Sequence, residues 1–451
     1  MDAPPGPELD SALGRAVVEA ARGLDPLAAR GLLSHRFPDA SADLIRAATV
    51  QAGLADRAEV RFGPGARDVL WSSDGLEQAS RPSTSRHRAA LLAAAGVGHV
   101  ADLTCGLGLD ALAFAAAGMT VFAVEQNPAT AAVAAANGRR LGDGRVAVAV
   151  GSCADPAVLR RAEAADAWFV DPSRRAGQRD RDGRHLRLDD PEQWSPPWSW
   201  VLAQARRIGA GGPASPSMPR VLLVKAAPGL PHEAIAQVPG CRAAAEWVSQ
   251  DGQLLEACVT WWRAETCEAI TSPPPDTDPG PIDRAAVILD ADGNTLVRID
   301  GATACATASK QRPSDADHLP HPPIAGDYLF DPDPAIVRAG LVADFATAAS
   351  ARVIDPHLAY LVSHTPLPPP LRPAARAWRV LAAGPYDPRR LRATCAEHGI
   401  GHLEVTGRGR HLEPARVRRD LKLPGGGQRG ILVVMALGPE RTTLACLCLP
   451  V

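Results

Sequence analysis

Val100-Ala-Asp-Leu-Thr-Cys-Gly-Leu-Gly-Leu-Asp110 reads as an apolar strand ending in Asp102, a turn holding Gly106 and Gly108, and the entry to an apolar helix, Ala111–Ala117. Glycine suits such a turn because the backbone must bend sharply and come close to a ligand. The helix that follows offers unpaired N–H groups at its N-terminus to a ligand carboxylate, and Asp102 or Asp110 can take a ligand ammonium group. Taken alone, the pattern also describes an ordinary strand-to-helix turn. Two further strands narrow the reading. Val121-Phe-Ala-Val-Glu125 ends in a carboxylate able to accept both hydroxyls of a ribose. Val146–Val150 leads into Gly151-Ser-Cys-Ala-Asp155, where an acid can meet an adenine amino group. Three successive strands ending in such groups predict an adenosine-type ligand.

Outward from this segment, strands are expected at 99–103, 120–124, 145–150, 167–171 and 220–225, with helical stretches between them. That alternation predicts a parallel sheet covered on both faces. Strands at 242–248 and 254–262 follow without a helix between them, joined by Gln250-Asp-Gly-Gln253, a hairpin signal. Dinucleotide sites carry a third glycine opening the helix, and Leu112 stands there. The two-glycine turn after a strand-ending Asp, together with the final hairpin, favours S-adenosylmethionine over NAD or FAD.

Ligands of open α/β sheets sit beyond the carboxyl ends of the strands. The fourth strand, Trp168-Phe-Val-Asp-Pro-Ser-Arg-Arg175, therefore brings Asp171 to the same crevice as Gly106 and Glu125. Pro172 stiffens the loop, and Asp171 can accept a hydrogen bond from an acceptor N–H. Arg174 and Arg175 can contact phosphate or stack on a base, and Lys225, ending the fifth strand, can bind phosphate or polarise the acceptor. Plainer readings are a capping Asp, two solvated arginines and a solvated strand-end lysine. Gln78, Ser80 and Glu256 are secondary candidates.

The flanks differ in character. Residues 1–90 read as a helical region, interrupted at Pro26 and Pro38, with a further helix near 84–95. The cofactor domain is expected over 91–265. Thr271–Gly280 reads as a linker, and 281–375 as a middle domain, a small ferredoxin-like α+β unit with a hairpin across Ala285–Ile299. Residues 376–451 read as strand, helix, strand, helix, strand, strand. Net charge is −2, so any polyanion partner must be met by local patches. The nine cysteines are scattered and lack a Cys-x-x-Cys pair, which fits reduced thiols and predicts no disulfide framework and no metal site. The N-terminus has no basic-then-apolar leader pattern, and no apolar run reaches membrane-spanning length, so a soluble cytoplasmic chain is expected.

The glycine turn, Glu125 and Asp171-Pro172 resemble the class I S-adenosylmethionine-dependent methyltransferases. More narrowly, Leu76-Glu-Gln-Ala-Ser80, Arg86-His-Arg88, Asp171-Pro-Ser-Arg-Arg175, Glu246-Trp-Val-Ser249 and Tyr328-Leu-Phe-Asp-Pro-Asp-Pro334, with the last 75 or so residues, resemble bacterial methyltransferase-like proteins with a C-terminal THUMP-like domain. The resemblance covers nearly the whole chain. It implies an α/β fold: a Rossmann-like seven-stranded sheet, an N-terminal helical region and a small α+β THUMP-like module. THUMP domains of other enzymes bind structured RNA, so it also implies a tRNA or rRNA substrate. Between Arg389 and Arg429, ten basic residues, among them Arg416, Arg419 and Lys422, stand against four acidic ones, a pattern that suits phosphate contacts or a solvated basic face. Amino-methylating relatives often show Asp/Asn-Pro-Pro followed by an aromatic, whereas Ser173 and Arg174 occupy the last two positions here, so no stacking ring is supplied there. The 5-methyluridine enzymes need a cysteine after the fifth strand, and Lys225-Ala-Ala-Pro-Gly229 has none. An RNA base methyltransferase, a methyltransferase of a small molecule or protein, and a non-catalytic RNA-binding protein all remain open at this point.

Overall fold

The computed structural model describes residues 7–179, 185–211, 218–264, 282–301, 322–355, 357–408, 413–423, 425–437 and 442–451. The expected linker 271–280 and residues 302–321 of the expected middle domain lie outside them. No helix among the described residues is long and apolar enough to cross a membrane. The chain divides into two compact units: residues 1–245, 256–282 and 290–294, and residues 246–255, 283–289 and 295–451.

The first unit opens with helices α1 (Ala12–Ala21), α2 (Pro26–Arg36), α3 (Ala42–Phe62), α4 (Ser73–Gln78) and α5 (Pro82–Ala94). Their starts follow local chemistry: Ser11, Asp25, Ser41 and Ser72 cap the first four, and Pro26 and Pro82 open α2 and α5. Val17, Leu33, Leu44, Ile45 and Trp71 bury together with Leu107 and Val133. Within that core, the Asn137 side chain is fully buried, accepting the Leu70 N–H at 2.8 Å and donating to the Leu70 and Leu107 carbonyls at 3.1 Å. This bond set ties the N-terminal segment to the glycine turn.

Strand and helix then alternate as expected: β1 (His99–Asp102), α6 (Leu109–Ala116), β2 (Thr120–Glu125), α7 (Pro128–Leu141), β3 (Val146–Val150), α8 (Pro156–Ala162) and β4 (Ala167–Val170). A small hairpin, β5 (Arg175–Arg179) with β6 (His185–Arg187), precedes α9 (Trp198–Gly209), β7 (Val221–Ala226), β8 (Cys241–Gln250) and β9 (Gln253–Arg263). The sheet runs β8-β9-β7-β4-β1-β2-β3, parallel from β7 to β3 and antiparallel between β7 and β9. β4 and the first four residues of β7 are entirely buried, as central parallel strands must be when helices cover both faces. In the turn joining β8 to β9, Asp251 and Gly252 have φ of 52° and 70°, the mirror-image turn that an Asp-Gly pair signals.

The second unit takes up the tip of that hairpin with β10 (Asp283–Leu289) and β11 (Thr295–Asp300), in the order β11-β10-β8. Its other sheet is built from β12 (Tyr328–Pro332), α10 (Pro334–Ala339), α11 (Val342–Ala348), β13 (Arg352–Asp355), β14 (Leu358–Ser363), β15 (Ala375–Pro385), α12 (Pro388–Glu397), β16 (Ile400–Arg408), α13 (Pro414–Leu421), β17 (Gln428–Leu437) and β18 (Thr442–Pro450). Its order is β13-β14-β12-β15-β18-β17-β16. The alternation of the last 75 residues is as read from sequence, but β15 pairs with β12 from Tyr328↔Arg379 to Pro332↔Ala375, so the segment before residue 376 and the segment after it share one sheet. Leu391, Cys395, Val417 and Leu421 of α12 and α13 pack on Leu432, Val434 and Leu447.

Candidate active site

The turn after β1 is held from two sides. The Cys105 N–H bonds the Val124 carbonyl at 2.9 Å, and the Gly106 N–H donates to Glu125 Oε2 at 3.1 Å. On the other side, Thr104 Oγ1 accepts the Asp171 N–H at 2.7 Å. Gly106 and Gly108 have φ of 54° and 84°, and a Cβ on Gly106 would meet nothing within 4 Å. The backbone thus borders open space at Gly106. That space is a cavity of about 400 Å³ at the carboxyl ends of β1, β2 and β4, bordered by Gly106, Asp110, Glu125, Asp171, Arg174, Lys225 and Gln78.

Several expected residues stand elsewhere. Asp102 is fully buried behind the turn and is not in the lining. Gly108 is also outside the lining and caps α6, its Cβ position 3.6 Å from Ala134. Asp155 is exposed and caps α8 by accepting the Ala157 N–H at 2.8 Å; Gly151 and Cys153 line the cavity there instead. Asp-Pro at 155–156 is itself a helix-start signal, and that local demand governs the side chain. The Arg175 backbone pairs with Arg187 in the β5–β6 hairpin, and its side chain lies outside the described residues. Arg416, Arg419 and Lys422 are exposed on α13 and at its end, in the second unit. The lining also includes Thr104, Cys105 and the stretch Ser72–Ser80 apart from Ser73 and Leu76, most of which carried no sequence signal of a site.

Charge is concentrated around the cavity. Lys225 Nζ donates to Asp171 Oδ2 at 2.5 Å, leaving Oδ1 without a hydrogen-bond partner among the described residues. Burial raises the Asp171 carboxyl above its ordinary range against the opposing pull of Lys225, with Asp110 adding to the rise. Burial would also raise Asp110, but Arg88 and Lys225 outweigh it and the carboxyl is held low. Asp102 is raised well above the ordinary carboxylate range by burial and by Asp110, Asp171 and Glu125; its Oδ1 accepts the Thr104 N–H at 3.2 Å, while Oδ2 is buried with no partner. Asp110, an acid held ionised on the cavity wall, Glu125 in the same lining and a glycine facing open space fit a cationic adenosine ligand carrying an ammonium group.

Asp102→Asn is expected to stabilise the ligand-free protein at neutral pH by about 1–3 kcal/mol, because a buried amide costs less than a buried unpaired carboxylate. A carboxyl with a raised folded pKa leaves stability intact below its unfolded pKa and removes it as pH climbs toward the folded value. Thermal unfolding against pH should show that decline in the wild type and a flatter profile in the variant; parallel profiles would mean that Asp102 carries no such cost.

This fold is that of the class I S-adenosylmethionine-dependent methyltransferases. Residues 375–450 match the family model described as THUMP domain-like. Over 418 residues, 92% of this chain and 99% of the relative, the chain is 28% identical to an uncharacterized S-adenosylmethionine-dependent methyltransferase of Mycobacterium tuberculosis, found in two strains. A Porphyromonas gingivalis protein, provisionally named a methyltransferase, has a crystal structure that superimposes with a TM-score of 0.70 at 17% identity, covering 98% of both chains and showing the shared fold.

Proposed function

We propose that the protein methylates a base in structured RNA, a tRNA or an rRNA, with S-adenosylmethionine as donor. The single observation that carries the reading is the convergence of Gly106, Asp110, Glu125, Asp171 and Lys225 on one cavity. When bound there, the donor supplies an electrophilic sulfonium methyl group. Glu125 still has lone pairs for ribose hydroxyls beyond its bonds to the Gly106 and Asn127 N–H groups. Asp110 suits the ammonium end. Asp171 Oδ1 accepts the N–H of the acceptor and takes its proton, while Lys225 fixes Oδ2. No aromatic ring borders the cavity among the described residues, so the Arg174 guanidinium is the planar group there for a base to stack on.

Support for RNA comes from the second unit. Several of its arginines are engaged internally: Arg408 with Asp331 at 2.7 Å, Arg376 with Asp331 at 2.5 Å, Arg429 with Glu404, and Arg392 with the Leu421 carbonyl at 2.8 Å. Arg389, Arg390, Arg419 and Lys422 are exposed and form no ion pair among the described residues. Replacing these four with Ala in the full chain is expected to lower the salt dependence of RNA affinity, by about one unit of log–log slope for each phosphate that the variant no longer neutralises. An unchanged slope would clear this surface of any role. The substrate itself is tested by mass spectrometry of nucleosides from a deletion strain and its parent. One methylated nucleoside missing from tRNA or rRNA is the expected result, and identical profiles would contradict an RNA substrate.

A further inference from the structure

Arg88, on α5, is fully buried. It donates to Asp110 Oδ1 on α6, to Glu256 Oε1 on β9, and to Ser85 Oγ on its own helix at 3.2 Å. Its guanidinium carbon lies 5.5 Å from the centroid of the Phe169 ring on β4, and its Nε has no partner. One cation therefore faces two carboxylates. Glu256 is buried, but Asp110 borders the cavity, and its second oxygen accepts the Ser80 hydroxyl at 3.0 Å. A buried arginine between two acids contributes little to stability, since apolar packing of the same volume often does as well. What it achieves is to keep Asp110 ionised and fixed in orientation, and to leave the cluster with one net negative charge at the cavity floor.

We propose that Arg88 is the positioning residue that presents Asp110 to the ammonium group of the cofactor's amino-acid end, an inference that rests on the S-adenosylmethionine reading above. Arg88 touches no ligand and acts through Asp110. The role has a signature that plain structural support lacks: it concerns only ligands with an amino-acid tail.

The test compares the affinity of the full chain for S-adenosylhomocysteine and for 5′-methylthioadenosine, a nucleoside thioether without the tail. The wild type is expected to prefer S-adenosylhomocysteine roughly 10- to 100-fold, the usual contribution of a charge-assisted hydrogen bond. Arg88→Lys, which keeps the charge but cannot bridge both acids, is expected to reduce that preference to about threefold or less, with methylthioadenosine affinity unchanged. Should that variant fail to fold, Arg88→Gln with Glu256→Gln removes the clamp without stranding Glu256, and the same loss of preference is expected. If either folded variant keeps the wild-type preference, or weakens both ligands alike, the positioning role is overturned. A wild type that binds neither ligand overturns the cofactor reading itself, and this inference with it.

Discussion

Asp171→Ala is expected to slow methyl transfer by about 10²- to 10⁴-fold, the usual contribution of a positioned base, with cofactor affinity retained. The loop that carries Asp171 is held by its backbone N–H on Thr104 Oγ1 and by the pairing of Ser173 with Ser195, so removing the side chain leaves the loop in place. Lys225 loses its partner but borders an open cavity where water can serve it. Single-turnover transfer and calorimetric cofactor binding, measured on the same preparation, separate the two effects. Unchanged turnover would remove Asp171 from the chemistry. The pH dependence has a definite sign. Asp171 must be ionised to accept a proton, and burial raises its carboxyl above the ordinary range even against Lys225. The rate should therefore fall as pH drops through that raised value, and Asp171→Asn should abolish this acid limb along with most of the activity.

Gly106→Val should weaken cofactor binding at least about a hundredfold, or about 2.7 kcal/mol. A β-branched residue at φ 54° is a steric outlier, and the left-handed conformation costs roughly 1–2 kcal/mol of folding stability, in the free and bound protein alike. The new side chain then starts in space where no protein atom lies within 4 Å, which is the cavity that the ligand needs. Gly108 provides the contrast: its Cβ position is 3.6 Å from Ala134, outside the cavity lining, so Gly108→Ala should cost stability more than ligand affinity. Retained affinity in Gly106→Val, measured by calorimetry, would mean that the cofactor lies elsewhere.

What could be read from the sequence divides along a physical line. The strands, the glycine turn and the terminal hairpin are encoded locally, by alternating apolar residues and by Asp-Gly and Gly-x-Gly signals. Glu125, Asp171 and Lys225 could be brought together on paper because parallel strands present their carboxyl ends to one edge. Asp155 shows where that logic stops: beside Pro156, capping a helix takes the side chain away from the crevice. Arg88 shows the opposite limit. Its partner Glu256 lies 168 residues further on, and nothing local to either announces the pair. The wall supplied by Ser72–Ser80 is of the same kind, since it is set against the turn by tertiary contacts such as Asn137 with Leu70 and Leu107. The basic run near the C-terminus looked stronger by count than it is in space, because Asp331 and Glu404 engage several of its arginines or their neighbours.

The most direct measurement is a crystal structure of the full chain grown with S-adenosylhomocysteine. The ribose is expected against Glu125, the amino group toward Asp110, and the sulfur facing Asp171 across the cavity. Ligand bound away from Gly106, or a chain that takes up none at millimolar concentration, would contradict the assignment.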